Sequence, residues 1–225
     1  VVAEGISEIC QHYRENGLKD YTFINERKQA FLASCAALFG GSINDYSMTP
    51  NTSFAINQIA HAVEWRENDR ILLFDGEFPT NVRPWLNAAE TYRLKVDTLP
   101  ISDKKDCPAI CLSEFEDRLK KGVRLVAISA VQFQTGRRMP IESLAALCKN
   151  YGALIFVDAI QLAGTSAVDF SQFDFWAAGG HKWLCGPEGT GLLYTHPDIR
   201  PTLKPKFVGW LSMENPYNFL FEGNG

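Results

Sequence analysis

Lys182 stands in Gly180-His-Lys-Trp183, inside a glycine- and aromatic-rich run over 174–191. A lysine among such neighbours is poorly placed as a solubilising surface charge. The sequence predicts it to be walled in, and burial favours the neutral amine because desolvation penalises the ammonium. A neutral amine can attack an aldehyde and hold it as a Schiff base. Asp158 closes the apolar run 153–157, so its carboxylate falls at a strand end one strand before Lys182, with Gln161 one turn later. Read alone, Asp158 would be a helix cap or turn residue; with Gln161, Gly164 and the Gly-His-Lys that follows, a shared crevice is the better reading. Asn51-Thr52-Ser53 precedes a helical apolar pattern over 54–63. Free amides at a helix start beside two hydroxyls make an anion site, and the same geometry serves capping by Thr52.

These residues need strand ends to hold them. Short apolar strands are expected at 71–74, 124–129, 153–157, 173–177 and 191–194. Continuous apolar runs of this kind suit a sheet covered on both faces. Helices are expected over 26–39, stopped by Gly40-Gly41, and over 113–121, opened by a Ser113–Glu116 capping box. A third spans 140–151, with Pro140 in its first turn and Gly152 at its end. Alternating strands and helices imply an α/β fold with three α/β/α layers and a mostly parallel sheet, in which ligands bind beyond the carboxyl ends of the strands. The expected organisation is an N-terminal helical part over 1–50, a core α/β domain over 51–205, and a loop over 206–225 leading toward a small C-terminal domain beyond the sequence.

The 225 residues are 46% hydrophobic and 21% charged, which fits a globular chain with a full core. The net charge of −4 and the lack of a Lys/Arg-rich block argue against nucleic acid or an anionic membrane as partner. No apolar run is long enough to span a bilayer. The chain opens without a start methionine or signal peptide and reads as an excerpt or processed piece. Cysteines at 10, 35, 107, 111, 148 and 185 show no CxxC spacing and are read as reduced thiols of a cytoplasmic protein. His12, His61 and His196 are isolated, and no metal site is expected. Nucleophile-elbow, P-loop, zincin and dinucleotide-binding signatures are all missing.

Taken together, Asn51-Thr-Ser53, Glu77-Phe-Pro-Thr-Asn81, Val131-Gln-Phe-Gln-Thr-Gly136, Val157-Asp-Ala-Ile-Gln161, Gly164, Gly180-His-Lys-Trp183 and Gly186-Pro-Glu-Gly-Thr-Gly191 closely resemble the class V aminotransferase family. These are fold-type I enzymes that use pyridoxal 5′-phosphate, and the resemblance runs from about residue 50 to about residue 210. It implies that the chain is the large cofactor-binding domain of such an enzyme. It implies that Lys182 carries the cofactor as a Schiff base and later moves the substrate α-proton. Asp158 would pair with the pyridine nitrogen and keep it protonated, so the ring can accept electrons. Gln161 would bond the phenolic oxygen, and Phe78 would stack on the ring. Thr52, Ser53 and His181 would hold the phosphate. Gly180 stands where many relatives have a phosphate-binding serine. Gln132 stands where many have an asparagine facing the cofactor or the substrate carboxylate.

Family members form homodimers with the cofactor at the interface. Trp210 resembles a position that reaches the neighbour's phosphate, and the aromatic segment 207–221 would suit that interface or contacts to a C-terminal domain. The resemblance implies an enzyme acting on the α-amino group of an amino acid, foremost an aminotransferase. A cysteine desulfurase or a kynureninase-like lyase is the alternative. A degenerate binding module is the non-enzymatic one, and the presence of both Lys182 and Asp158 counts against it. Desulfurases usually stack a histidine where this chain has Phe78. In the family, the desulfurase cysteine and the arginine that reads the substrate carboxylate fall in a later segment, beyond residue 225.

Overall fold

The computed structural model describes residues 2–17, 19, 21–102 and 109–212. Helices α1 (Val2–Asn16) and α2 (Tyr21–Phe39) lead into strand β1 (Tyr46–Thr49) and helix α3 (Thr52–Ala62). Then come β2 (Arg70–Phe74), α4 (Arg83–Tyr92), β3 (Lys95–Leu99), α5 (Leu112–Leu119), β4 (Val123–Ser129) and α6 (Ile141–Tyr151). Strands β5 (Leu154–Asp158), β6 (Phe175–Gly179) and β7 (Gly191–Thr195) complete the set. Seven strands form one sheet in the order β1-β7-β6-β5-β4-β2-β3. All neighbouring pairs are parallel except those of β7, which runs against both β1 and β6.

Alternation along each strand divides the core in two. Val126 and Ile128 of β4 join Leu32 and Phe39 of α2, Phe115 of α5 and Leu144 of α6 on one face. Leu125 and Ala127 join Ile56 and Ile59 of α3 and Trp85 of α4 on the other. Successive strand side chains point to opposite faces, so strands buried on both faces carry unbroken apolar runs, as β4 does over 125–128 and β5 over 154–157. The result is the three-layer α/β fold that the sequence implies.

Several boundaries differ from the sequence expectation. Helix α2 begins at Tyr21, five residues before Glu26, and α1 precedes it with no buried side chain. The capping box expected at Ser113–Glu116 is not formed: α5 starts at Leu112, Cys111 takes the cap position, and no side-chain cap bond is made. Ser113 Oγ instead lies 3.1 Å from Cys111 Sγ. The first fifty residues also contribute β1, which enters the sheet beside β7. Helix α6 ends as expected, with Gly152 left-handed at φ 67°.

Candidate functional site

The turns after β1, β2, β4, β5 and β6 meet beyond the strands' carboxyl ends and enclose a cavity of about 160 Å3. Asn51, Thr52 and Ser53 line it from the start of α3, and Phe78 and Thr80 from the turn after β2. Ser129, Val131 and Phe133 line it from the end of β4, and Asp158, Ile160 and Gln161 from the end of β5. His181 and Lys182 close it from the turn after β6. Seven residues singled out in the sequence therefore share one cleft: Thr52, Ser53, Phe78, Asp158, Gln161, His181 and Lys182.

One end of the cleft is built for an anion. The Asn51 side chain caps α3 by accepting from the Phe54 amide at 2.8 Å, so the cap is Asn51 and not Thr52. The hydroxyl of Thr52 is thereby left for another task. Thr52 is 3% exposed, and its Oγ1 is buried without a hydrogen-bond partner. An unsatisfied buried hydroxyl is costly, and at a helix N-terminus it sits where the dipole and free amides favour negative charge. Ser53 Oγ lies 2.9 Å from Thr80 Oγ1, which brings a further hydroxyl to the same corner.

The other end is built for a cation. Asp158 is 2% exposed and accepts the Ile160 amide at 3.0 Å. Burial, with a smaller contribution from the charge of Glu77, pushes its proton affinity up to about 7, against the opposing pull of the Ile160 amide and Lys182. A carboxylate held this way gains most from a cationic N–H group at the cleft. The orphaned Thr52 hydroxyl and the buried Asp158 line the same cavity, and their chemistry suits the phosphate and the N–H of a phosphorylated pyridinium.

Lys182 is exposed, not walled in as its neighbours in sequence suggest. It springs from the turn after β6. Its Nζ lies 5.9 Å from the centre of the Phe78 ring, which in turn meets Phe133 edge-to-face at 5.1 Å. Gln161 Oε1 accepts from Trp183 Nε1 at 3.1 Å, tying the turn after β5 to the lysine turn. The backbone approach there is close. A Cβ on Gly164, whose φ is +97°, would fall 2.5 Å from the Trp183 carbonyl oxygen. At Gly180 a Cβ would fall 2.2 Å from Thr190 Oγ1, so the serine of many relatives does not fit this turn as it stands.

Two sequence candidates lie outside the cleft lining. Gln132 is 5% exposed and donates to Glu77 Oε1 at 3.0 Å. It borders a separate cavity of about 540 Å3 with Gly76, Ile101 and Arg137. Trp210 is 54% exposed in a short 3-10 turn, Trp210–Ser212. Residues 213–221 of the aromatic segment, like Cys107, lie outside the described residues. Sequence reasoning missed Ser129, Thr80 and Phe133, although Thr80 and Phe133 sit inside motifs it used. It also missed the acceptor role of Glu77.

The family model for aminotransferase class-V matches residues 32–217. A probable cysteine desulfurase of Pyrococcus abyssi is 28% identical over 95% of this chain and 54% of its own length. An uncharacterized aminotransferase of Bacillus subtilis is 27% identical over 96% of this chain and 58% of its own. The cystine C-S lyase C-DES, solved with its product cysteine persulfide, superposes with a TM-score of 0.83 at 28% identity, over 93% of this chain and 57% of its own. A C-DES mutant has been solved with glycine covalently linked to its PLP cofactor. The chain spans about half the length of the curated relatives it matches. A fold-type I sheet, a cleft at its strand ends lined by Lys182, Asp158 and Thr52, and a family match over most of the sequence agree: the chain belongs to the class V aminotransferase family.

Proposed function

We propose that the protein binds pyridoxal 5′-phosphate and acts on the α-amino group of an amino acid, as an aminotransferase. The observation that carries this reading is the meeting of Lys182, the buried Asp158 and the orphaned Thr52 hydroxyl in one cleft. Thr52, Ser53 and the first amides of α3 hold the phosphate, with His181 beside them. Asp158 pairs with the ring nitrogen and keeps a proton there, and Phe78 covers one ring face. Gln161 steadies the lysine turn through Trp183 and is placed near the ring's phenolic oxygen. The bound cofactor supplies the carbonyl that captures amines and the ring that takes up electrons. Lys182 would be the amine that anchors the group and the base placed to move the proton of the substrate α-carbon.

The desulfurase reading is favoured by the names of several relatives. Phe78 and Phe133 at the cleft mouth favour transfer, because neither ring can supply the proton a histidine would. Full-length protein loaded with cofactor should pass amino groups to a 2-keto acid. Sulfide release from cysteine as the dominant activity would overturn the choice of transferase. Neither activity, across a panel of amino donors, would overturn the enzyme reading.

Dimerisation belongs to the same proposal, with Trp210 at the neighbour's phosphate and a small domain following the core of 51–205. Sedimentation of the full-length protein should give a dimer, and a monomer at micromolar concentration would contradict this. Among the described residues no helix is long and apolar enough to cross a membrane. The five described cysteines are free thiols, which suits the cytoplasm; finding the protein in a secreted fraction would contradict that placement.

A further inference from the structure

Glu77 is a buried carboxylate that the proposed chemistry leaves unused. It is 8% exposed, in the turn just before Phe78. Its Oε1 accepts from the Ser129 amide at 2.7 Å and from Gln132 Nε2 at 3.0 Å. Its Oε2 accepts from Asn81 Nδ2 at 3.0 Å and from the Ser129 hydroxyl. The Asn81 amide is oriented in turn, because its Oδ1 accepts from the buried Trp85 Nε1 at 3.2 Å. Each oxygen therefore faces at least one N–H that can only donate, an arrangement that suits the ionised form.

Ser129 links this carboxylate to the cleft. It pairs with Asp158 in the β4–β5 register, and the next amide, that of Ala130, donates to the Asp158 carbonyl at 2.8 Å. Through Ser129 the Glu77 carboxyl is coupled to Asp158, whose proton affinity its negative charge raises. The other titratable groups nearby are Lys182 and His181 in the cleft, and Asp75 and Arg137 in the cavity beyond Gln132. Within this network Glu77 has no cationic partner: every group that donates to it is neutral.

We infer that Glu77 is a positioning residue for the cofactor: it fixes Ser129 beside Asp158, and its charge holds the proton shared between Asp158 and the ring nitrogen. The inference rests on the reading of the cleft as a pyridoxal phosphate site. An added negative charge raises the proton affinity of the pair as a unit. Burial pushes Glu77's own proton affinity up, and its four donors oppose that rise only in part.

The test measures the dissociation constant of pyridoxal 5′-phosphate by tryptophan fluorescence, from about pH 6 to about pH 10. Full-length protein carrying Lys182→Ala is used, so that binding is non-covalent. Affinity falls on the alkaline side as the shared proton is lost. Adding Glu77→Gln should move that fall down by about one pH unit, a tenfold weakening within the window. Glu77→Asp keeps the charge and should leave the fall in place. Glu77→Gln weakening binding equally at every pH, or not at all, would overturn the inference. If Glu77→Gln does not fold, a displaced fall in Glu77→Asp overturns it instead. Absence of binding in the Lys182→Ala parent at every pH would overturn the cofactor reading, and this inference with it.

Discussion

Thr52 has a buried hydroxyl without a partner and Asp158 is a buried carboxylate held by one amide, and each should show this in opposite ways with and without cofactor. Thr52→Val keeps the shape and removes the unpaired hydroxyl. Thermal melts of the cofactor-free variant should match or exceed the wild type, because an unsatisfied buried polar group is lost. Cofactor affinity should fall by about tenfold, about 1.4 kcal/mol. An unchanged affinity would remove Thr52 from the phosphate site. For Asp158 the sign follows from its raised proton affinity, about 7 in the folded state against 3.8. The folded state binds this proton more tightly than the unfolded chain. Its contribution to stability is therefore full below the unfolded value and is lost as pH rises toward 7. Cofactor-free Asp158→Asn should accordingly melt like the wild type near pH 4 and roughly 5 °C above it at pH 8. An equal difference at both pH values would contradict this. The loaded variant should lose most of its activity, because a neutral amide cannot hold the ring nitrogen protonated. Lys182 and Asp158 were legible in the sequence because each is marked locally, one by its glycines and the other by the apolar strand before it. The exposure of Lys182 was not legible, since neighbours in sequence do not reveal which side of a cleft is open. Glu77 and Ser129 meet across 52 positions, and no local pattern announces that contact.

Among the elements, the turn after β6 is held by close backbone approach more than by side-chain bonds. Gly164 allows the Trp183 carbonyl within a distance that no Cβ tolerates, and its φ of +97° is one that L side chains rarely adopt. Gly164→Ala should therefore push the lysine turn away from the β5 turn and break the Gln161–Trp183 bond. The expected outcome is a loss of cofactor affinity of at least tenfold, with destabilisation of about 2 kcal/mol. Retained affinity would show that the turn is set elsewhere. Strands β4 and β5 were readable because both their faces are buried, which leaves uninterrupted apolar runs. Strand β3, Lys-Val-Asp-Thr-Leu, was not: it is an edge strand with mixed exposure, paired only to β2. The capping box in α5 failed for a related reason. Ser113 falls inside the first turn once the helix starts at Leu112, and a hydroxyl there cannot act as the cap.

For the molecule as a whole, the sheet sets one task at each edge of the cleft. Parallel strands bring their carboxyl ends to one rim, and α3 aims its N-terminus at the same rim. The hydroxyls at the start of α3 and the buried Asp158 carboxylate thereby come to one cavity from residues over a hundred positions apart. The fold class followed from the alternation of strands and helices, while the sheet order and the antiparallel β7 required the tertiary structure. Lys182 is proposed as the residue through which this cavity holds pyridoxal 5′-phosphate. The most direct measurement is reduction of the cofactor-loaded, full-length protein with borohydride, followed by mass spectrometry of its peptides. A phosphopyridoxyl group should appear on Lys182 and be absent from Lys182→Ala. An unlabelled protein, or a label on another lysine with Lys182 unmodified, would contradict it.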